Sequence, residues 1–323
     1  MIRLLPVLFA ALLLLAAECE SSAASYGDTV LSGNTVWSGE VTVRGVVVVA
    51  RAATLTIEPG TTVRFEKIDL NGDGVGDSEL RVLGGINAIG LPDRVIRFLS
   101  AEASPAPKDW SYVMIFTSPR RNVIRYCEFS GAFTGLQVHF STVAVSDSMF
   151  HDNNEGMRFG RARLEIENSE FRHNDIGIRF TRMEGPVAIS RNNVVRNRIG
   201  MFLAPSGQNI TDFFEPERGG RPWNTGKLGI RGNNIHDNLW YNLNLGERQS
   251  WNLEVSGNWW GSARPIDMEG GIFDNNRDDS LGSALYSPFL ECPAADAGVR
   301  HGSVNKSGAS DSARKEVQPH ENP

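Results

Sequence analysis

Asp69, Asn71, Asp73 and Asp77 put side-chain oxygens at the first, third, fifth and ninth places of Asp69-Leu-Asn-Gly-Asp-Gly-Val-Gly-Asp77. Gly74 stands at the sixth place, where such a chain must turn sharply, and the Val75 carbonyl is available at the seventh. Ca²⁺ is a hard cation that takes about six to eight oxygen ligands from a flexible turn, and this spacing supplies the front of a calcium loop. The twelfth place departs from the pattern, with Leu80 instead of a bidentate acid and Glu79 one position early. The expectation is one structural Ca²⁺ held by Asp69, Asn71, Asp73, Val75 and Asp77, clamping an insertion over 69–80. The simpler reading is an Asp- and Gly-rich surface turn.

A second group could contact a polar ligand. Gln137, Arg158 and Arg179 fall at matching places in successive copies of a repeat, and period-two alternation turns them outward. Such a ladder can present donors along a polymer, although outward Arg is also ordinary on a sheet surface. A third group, Phe213, Phe214 and Trp223, sits among charged residues in an insertion over 204–228. Long loops on rigid scaffolds commonly carry binding, and exposed aromatics there can stack on sugar rings. The same aromatics can equally pack back onto the coil as a lid.

No catalytic residue is assigned. Asp278-Asp279 is an adjacent acidic pair in a polar stretch beyond the repeats, which suits a solvated turn. His151-Asp152-Asn153 and His236-Asp237-Asn238 occupy equivalent repeat positions, so a recurring turn accounts for them better than chemistry does. No zinc-type cluster of His and Cys appears.

The elements that must position these residues are written in the repeat itself. Its phrase is an aliphatic residue, two mostly polar ones, a small polar or thiol residue, any residue, then a large apolar one. It starts at Ile124, Val145, Ile166, Ile189, Ile230 and Val255, so that successive starts are 21, 21, 23, 41 and 25 residues apart. A fixed period means stacked units that cannot bury their apolar faces alone. Asn153, Asn174, Asn197 and Asn238 recur eight residues after a start, and Gly135, Gly156, Gly177 and Gly200 eleven after. Stacking at about 4.8 Å lets equivalent asparagines bond to the rungs above and below. The glycines are expected to supply positive φ or room at a corner. Alternation places Met157, Phe159, Ile178 and Phe180 inward. Helical spacing is missing between residues 35 and 290, and the 33 glycines argue against a helical solenoid.

The ends and the composition narrow the setting. Leu4 to Ala17 is an apolar run shorter than the roughly 20 residues of a membrane span, and it suits a secretory signal peptide over 1–24. Cys19 invites a second reading, lipid anchoring, although Glu18 sits where a small residue is expected. The expected destination is secreted or periplasmic, with no transmembrane span in the folded domain, 25–292. Residues 293–323 read as a disordered polar tail. A formal charge of −6 and a pI near 5.6 argue against a nucleic-acid partner. Three cysteines do not make a disulfide framework, and Cys127 occupies the small-residue place of its phrase, as a buried structural thiol would.

Several segments resemble a known family. Thr54–Phe65, Leu80–Gly90 and Val95–Phe98 look like the opening of secreted right-handed parallel β-helix repeat proteins of the pectin-lyase-like superfamily. Trp110–Phe116 resembles the rung that usually follows, and Asn258-Trp-Trp-Gly261 the phrase that closes such coils. The resemblance spans roughly residues 35 to 290 and implies an all-β, right-handed parallel β-helix. It implies no single activity, because the superfamily holds lyases, polygalacturonases, epimerases, tailspikes and metal-pathway proteins. The polygalacturonase set, including its Gly-His-Gly segment, is absent. The leading expectation is an exported, non-catalytic scaffold that binds a glycan or another cell-envelope or extracellular partner. The alternative is a polysaccharide lyase or related carbohydrate-active enzyme acting on acidic polysaccharide; in a lyase, cations neutralise the uronate and a base takes a proton.

Overall fold

The repeat phrase forms two strands and the corner between them. In Ile124-Arg-Tyr-Cys127-Glu-Phe129, Ile124 points inward near the end of the strand Arg121–Arg125, Tyr126 turns the chain at φ 47°, and Cys127–Phe129 is the next strand. A third strand, Ala132–His139, completes the turn of the coil before Thr142–Ser146 begins the next round. The computed structural model describes residues 23–182, 185–203, 228–246 and 250–300.

Among the described residues, strands of the three kinds stack into three parallel sheets, here called A, B and C, of nine, ten and eight strands. The chain is an all-β parallel β-helix, and the expected architecture holds. Among the described residues the only α-helix is Pro265–Glu269, near the C-terminal end of the coil. No helix among them is long and apolar enough to cross a membrane.

Burial follows the alternation. Met157, Phe159, Ile178 and Phe180 are fully buried, and the large residues of the first five phrases, Phe129, Phe150, Phe171, Val194 and Ile235, lie inside sheet A. Phe98, Phe129, Phe150 and Phe171 stack face to face with centroids 4.6, 4.8 and 4.8 Å apart. That spacing is the strand separation itself, so one ring per rung forms a continuous column.

Two polar ladders close the corners. At the corner from A to B, the Asn174 side-chain amide donates to the Phe150 carbonyl and to Asn197 Oδ1, while its oxygen accepts from the Asn153 backbone amide. Asn153, Asn197 and Asn238 repeat the pattern. At the corner from C to A, Ser148, Ser169, Asn192, Asn233 and Asn258 do the same work in the small place of the phrase. Corner backbone that burial would leave unpaired is satisfied this way. Cys127 opens this second ladder as a free, buried thiol, pushed up by burial, and Cys292 is free and exposed.

Of the two roles expected of the glycines, they supply room and not positive φ. Gly135, Gly156 and Gly177 do not take positive φ. A Cβ on them would meet the carbonyl oxygen of the next rung's glycine or its neighbourhood at 2.8, 2.6 and 2.6 Å. They are small because the backbones pass close. The left-handed corners instead fall on Asp152, His173, Arg196 and Asp237 between A and B, and on Tyr126, Asp147, Asn168 and Arg191 between C and A. Each costs about 1–2 kcal/mol in an L-residue, which the adjoining ladders offset.

The C-terminal boundary differs from expectation. Residues 293–300, assigned to the tail by composition, lie against the corner between C and A. The Ala294 amide donates to Asn234 Oδ1 and its carbonyl accepts from Asn234 Nδ2. Asn168 Nδ2 donates to the Asp296 carbonyl, and the Gly298 amide to the Arg191 carbonyl. Arg300 closes a bidentate pair with Asp147 at 2.6 and 2.7 Å. These bonds are mostly made by backbone, so composition carries no sign of them.

Candidate functional site on sheet B

Gln137, Arg158 and Arg179 stand in register on three successive strands of sheet B and face outward, as expected. The structure adds what ties them down. Glu155 lies at the start of the strand Glu155–Gly160 with its side chain 1 % exposed. Arg158 reaches it through Nε and Nη2, both at 2.6 Å, and Arg179 through Nη1 at 2.7 Å. Thr134 Oγ1 donates to the same carboxylate at 3.1 Å. A buried carboxylate demands such saturation, and two guanidinium groups on one acid leave a local charge of +1. Aromatic faces complete the frame: Arg158 lies over Phe133 at 5.5 Å and Arg179 over Phe202 at 5.6 Å.

On the N-terminal side, Gln137 Nε2 is 2.9 Å from His139 Nε2. Burial is the main cause that lowers the His139 pKa. The Gly160 carbonyl opposes it and the Arg158 charge adds to it. His139 is therefore neutral at pH 7. Further along the same face, buried Glu79 pairs with Arg81. The Tyr112 phenol is pushed up to about 12 by burial and then by its hydrogen bond to Glu79. In the other direction the column continues through Phe202, Asn244 and Phe273, with Tyr241 edge-on to Phe273 at 5.2 Å.

The sheet thus carries a preorganised surface of planar donors beside aromatic rings. It can hydrogen-bond to hydroxyl or carboxylate oxygens and stack on the C–H face of a ring. Sequence reasoning found Gln137, Arg158 and Arg179 but missed Glu155, Thr134, Phe133, His139 and Phe202. Glu155 was hidden because strict alternation puts residues three apart on opposite faces. Its contact with Arg158 crosses the close-packed Gly156. Phe202 shares a register column with Arg179, which the repeat phase would have revealed.

Other expected site residues lie elsewhere. Over 69–77 the Asp69 carboxylate accepts from the amides of Gly72, Asp73 and Gly74. Asp73 Oδ1 accepts from the Val75 amide, and Asp77 Oδ2 from the Leu70 amide. Asn71 donates to Asp73 at 3.1 Å. Among the described residues no three His, Cys, Asp or Glu side chains gather at metal distance. Phe213, Phe214 and Trp223 lie outside the described residues, as does Cys19.

His151 and His236 end strands of sheet A, and the aspartate after each, Asp152 or Asp237, makes the recurring left-handed turn. His151 also faces Glu128 at 3.0 Å on the outer face of sheet A.

The family model described as "Right handed beta helix region" matches residues 109–214. The chain matches no curated protein and no solved structure.

Proposed function

We propose that this right-handed β-helix is an exported, non-catalytic scaffold that binds a glycan of the cell envelope or extracellular space on the outer face of sheet B. The observation that carries the reading is the clamp of Arg158 and Arg179 on buried Glu155, against Phe133 and Phe202. It fixes two flat donor groups before a ligand arrives, which lowers the ordering cost of binding. Guanidinium groups held by a carboxylate suit recognition better than proton abstraction, and this favours binding over a lyase.

The test uses the intact chain against a panel of acidic and neutral polysaccharides. Retention by at least one of them, with no new reducing ends, is expected. Release of reducing ends above the protein-free blank would replace binding with catalysis.

The reading includes one Ca²⁺ in the loop 69–77, serving stability alone. Saturating Ca²⁺ is expected to raise the melting temperature, since a ligand that binds only the folded state stabilises it. Asp73→Ala is expected to abolish the rise. An unchanged wild-type melting curve would remove the ion from the reading.

A further inference from the structure

The segment 293–300 runs back along the coil after the last rung. The Leu290 amide donates to the Asn258 carbonyl, and the following residues then bond to the corners, Ala294 to Asn234, Asp296 to Asn168, Gly298 to Arg191 and Arg300 to Asp147. Four features make this a built groove. Asn234 grips both the amide and the carbonyl of Ala294, where the Ala297 amide closes a turn onto the same carbonyl, and so reads backbone whatever the side chain. Asn168 takes the Asp296 carbonyl, again a backbone contact. Gly298 is at φ 94°, and a Cβ there would meet Asn193 Nδ2 at 2.4 Å, so only glycine fits. At the far end Asp147, whose side chain is fully buried, receives the Arg300 fork. Asp147 keeps a second partner, Arg125 Nε at 3.2 Å, when Arg300 leaves.

The segment contributes little to the core. Residues 293–300 contain no large apolar side chain except Val299, and none of them belongs to the buried apolar cluster. The coil's own sheets and ladders close without it. An element held by polar bonds along one edge, over a core complete in itself, is one that opens locally.

We infer that the corner between sheets C and A is a docking groove for a peptide segment with a turn after its first small residue, occupied by the chain's own residues 293–300 and latched by Arg300 on Asp147. The latch opens while the coil stays folded, and the occupant the groove then selects is the same segment of a second copy. Its signature is a small residue, then glycine four places on, then arginine two beyond, as in Ala294, Gly298 and Arg300.

The experiment is hydrogen exchange on the full chain carrying Arg300→Gln, which leaves the Asp147–Arg125 pair in place. A synthetic peptide with the sequence of residues 293–300 is then added. The Ala294 and Gly298 amides are expected to exchange roughly ten- to a hundredfold faster than in the wild type, the range of a charge-assisted hydrogen bond. Amides of the sheet strands should be unchanged. The peptide, but not a version with Gln in place of its arginine, should bind the variant and slow exchange around Asn168 and Asn234. Unchanged exchange of the strap, or loss of protection spreading into the sheets, would overturn the inference. So would failure of the native peptide to bind.

Discussion

Sheets A and B share one period, one register and one coil, yet their outer faces handle charge in opposite ways. On sheet A the pairs are short-range and wet: Arg64 with Glu40 at 3.0 Å, Arg97 with Glu128 at 3.2 Å, Arg172 with Glu170 at 2.8 Å. Each acid is part-exposed, so either partner can turn to water. On sheet B the carboxylates of Glu79 and Glu155 are buried at 5 % and 1 % exposure, with the guanidinium groups packed over them. Neutralising a surface needs only the first arrangement. The second costs desolvation and pins side chains in one geometry, which is what a recognition surface gains from it.

The sharpest way to break this contrast is to remove one acid from each face. Glu155→Gln leaves Arg158 and Arg179 crowded without a counter-charge and is expected to cost about 3 kcal/mol in chemical denaturation. A loss below about 1 kcal/mol would erase the distinction between the sheets. Next in size is the effect on ligand. Phe202→Ala removes an aromatic face without touching Glu155. It should weaken retention of any polysaccharide bound by the wild type about tenfold, the scale of a stacking contact. Met149→Ala on sheet A should leave it unchanged. Equal losses from both would place the site elsewhere.

Two histidines sharpen the comparison through pH. Burial opposes the charge on His151, but hydrogen bonds to Glu128 and Asp152 outweigh it and raise its pKa. Its stabilising contribution is full below about pH 6.5 and fades as pH rises through the raised folded value. His139 on sheet B is lowered by burial, so it adds no cost above about pH 6.5 and a growing one as pH falls to its lowered folded value. His151→Gln should therefore destabilise most in mild acid, where His139→Gln should instead relieve a cost. Melting curves at pH 5 and pH 8 give both signs, and the shifts should stay within about 3 °C. Parallel shifts would show that the two environments are alike. The smallest effect belongs to Glu40→Gln, an exposed pair worth no more than about 1 kcal/mol.

The coil was legible because its residues answer to a period. Ile124 and Phe129 recur with their neighbours in fixed phase, and each recurrence states the same burial. The asparagines were legible for the same reason. The site was less so. Arg158 and Arg179 could be placed on one face by counting, but the acid between them obeys no alternation and belongs to one rung only. The positive φ of Asp152, His173 and Arg196 was equally hidden. Glycine is the residue that announces a left-handed corner, and here corners made by other residues are held in place by the ladder. Residues 293–300 escaped because backbone bonds leave no mark on composition.

The pinning of Arg300 at Asp147 has a practical consequence for anyone attaching this molecule to something. Arg300 is held partway back along the coil, at the edge where sheets C and A meet, and on a three-sided coil that edge lies opposite sheet B. A bead, electrode or fluorophore joined to the described segment 293–300 would therefore sit on the rear of the molecule, with the Arg158–Arg179 surface facing outward into the sample.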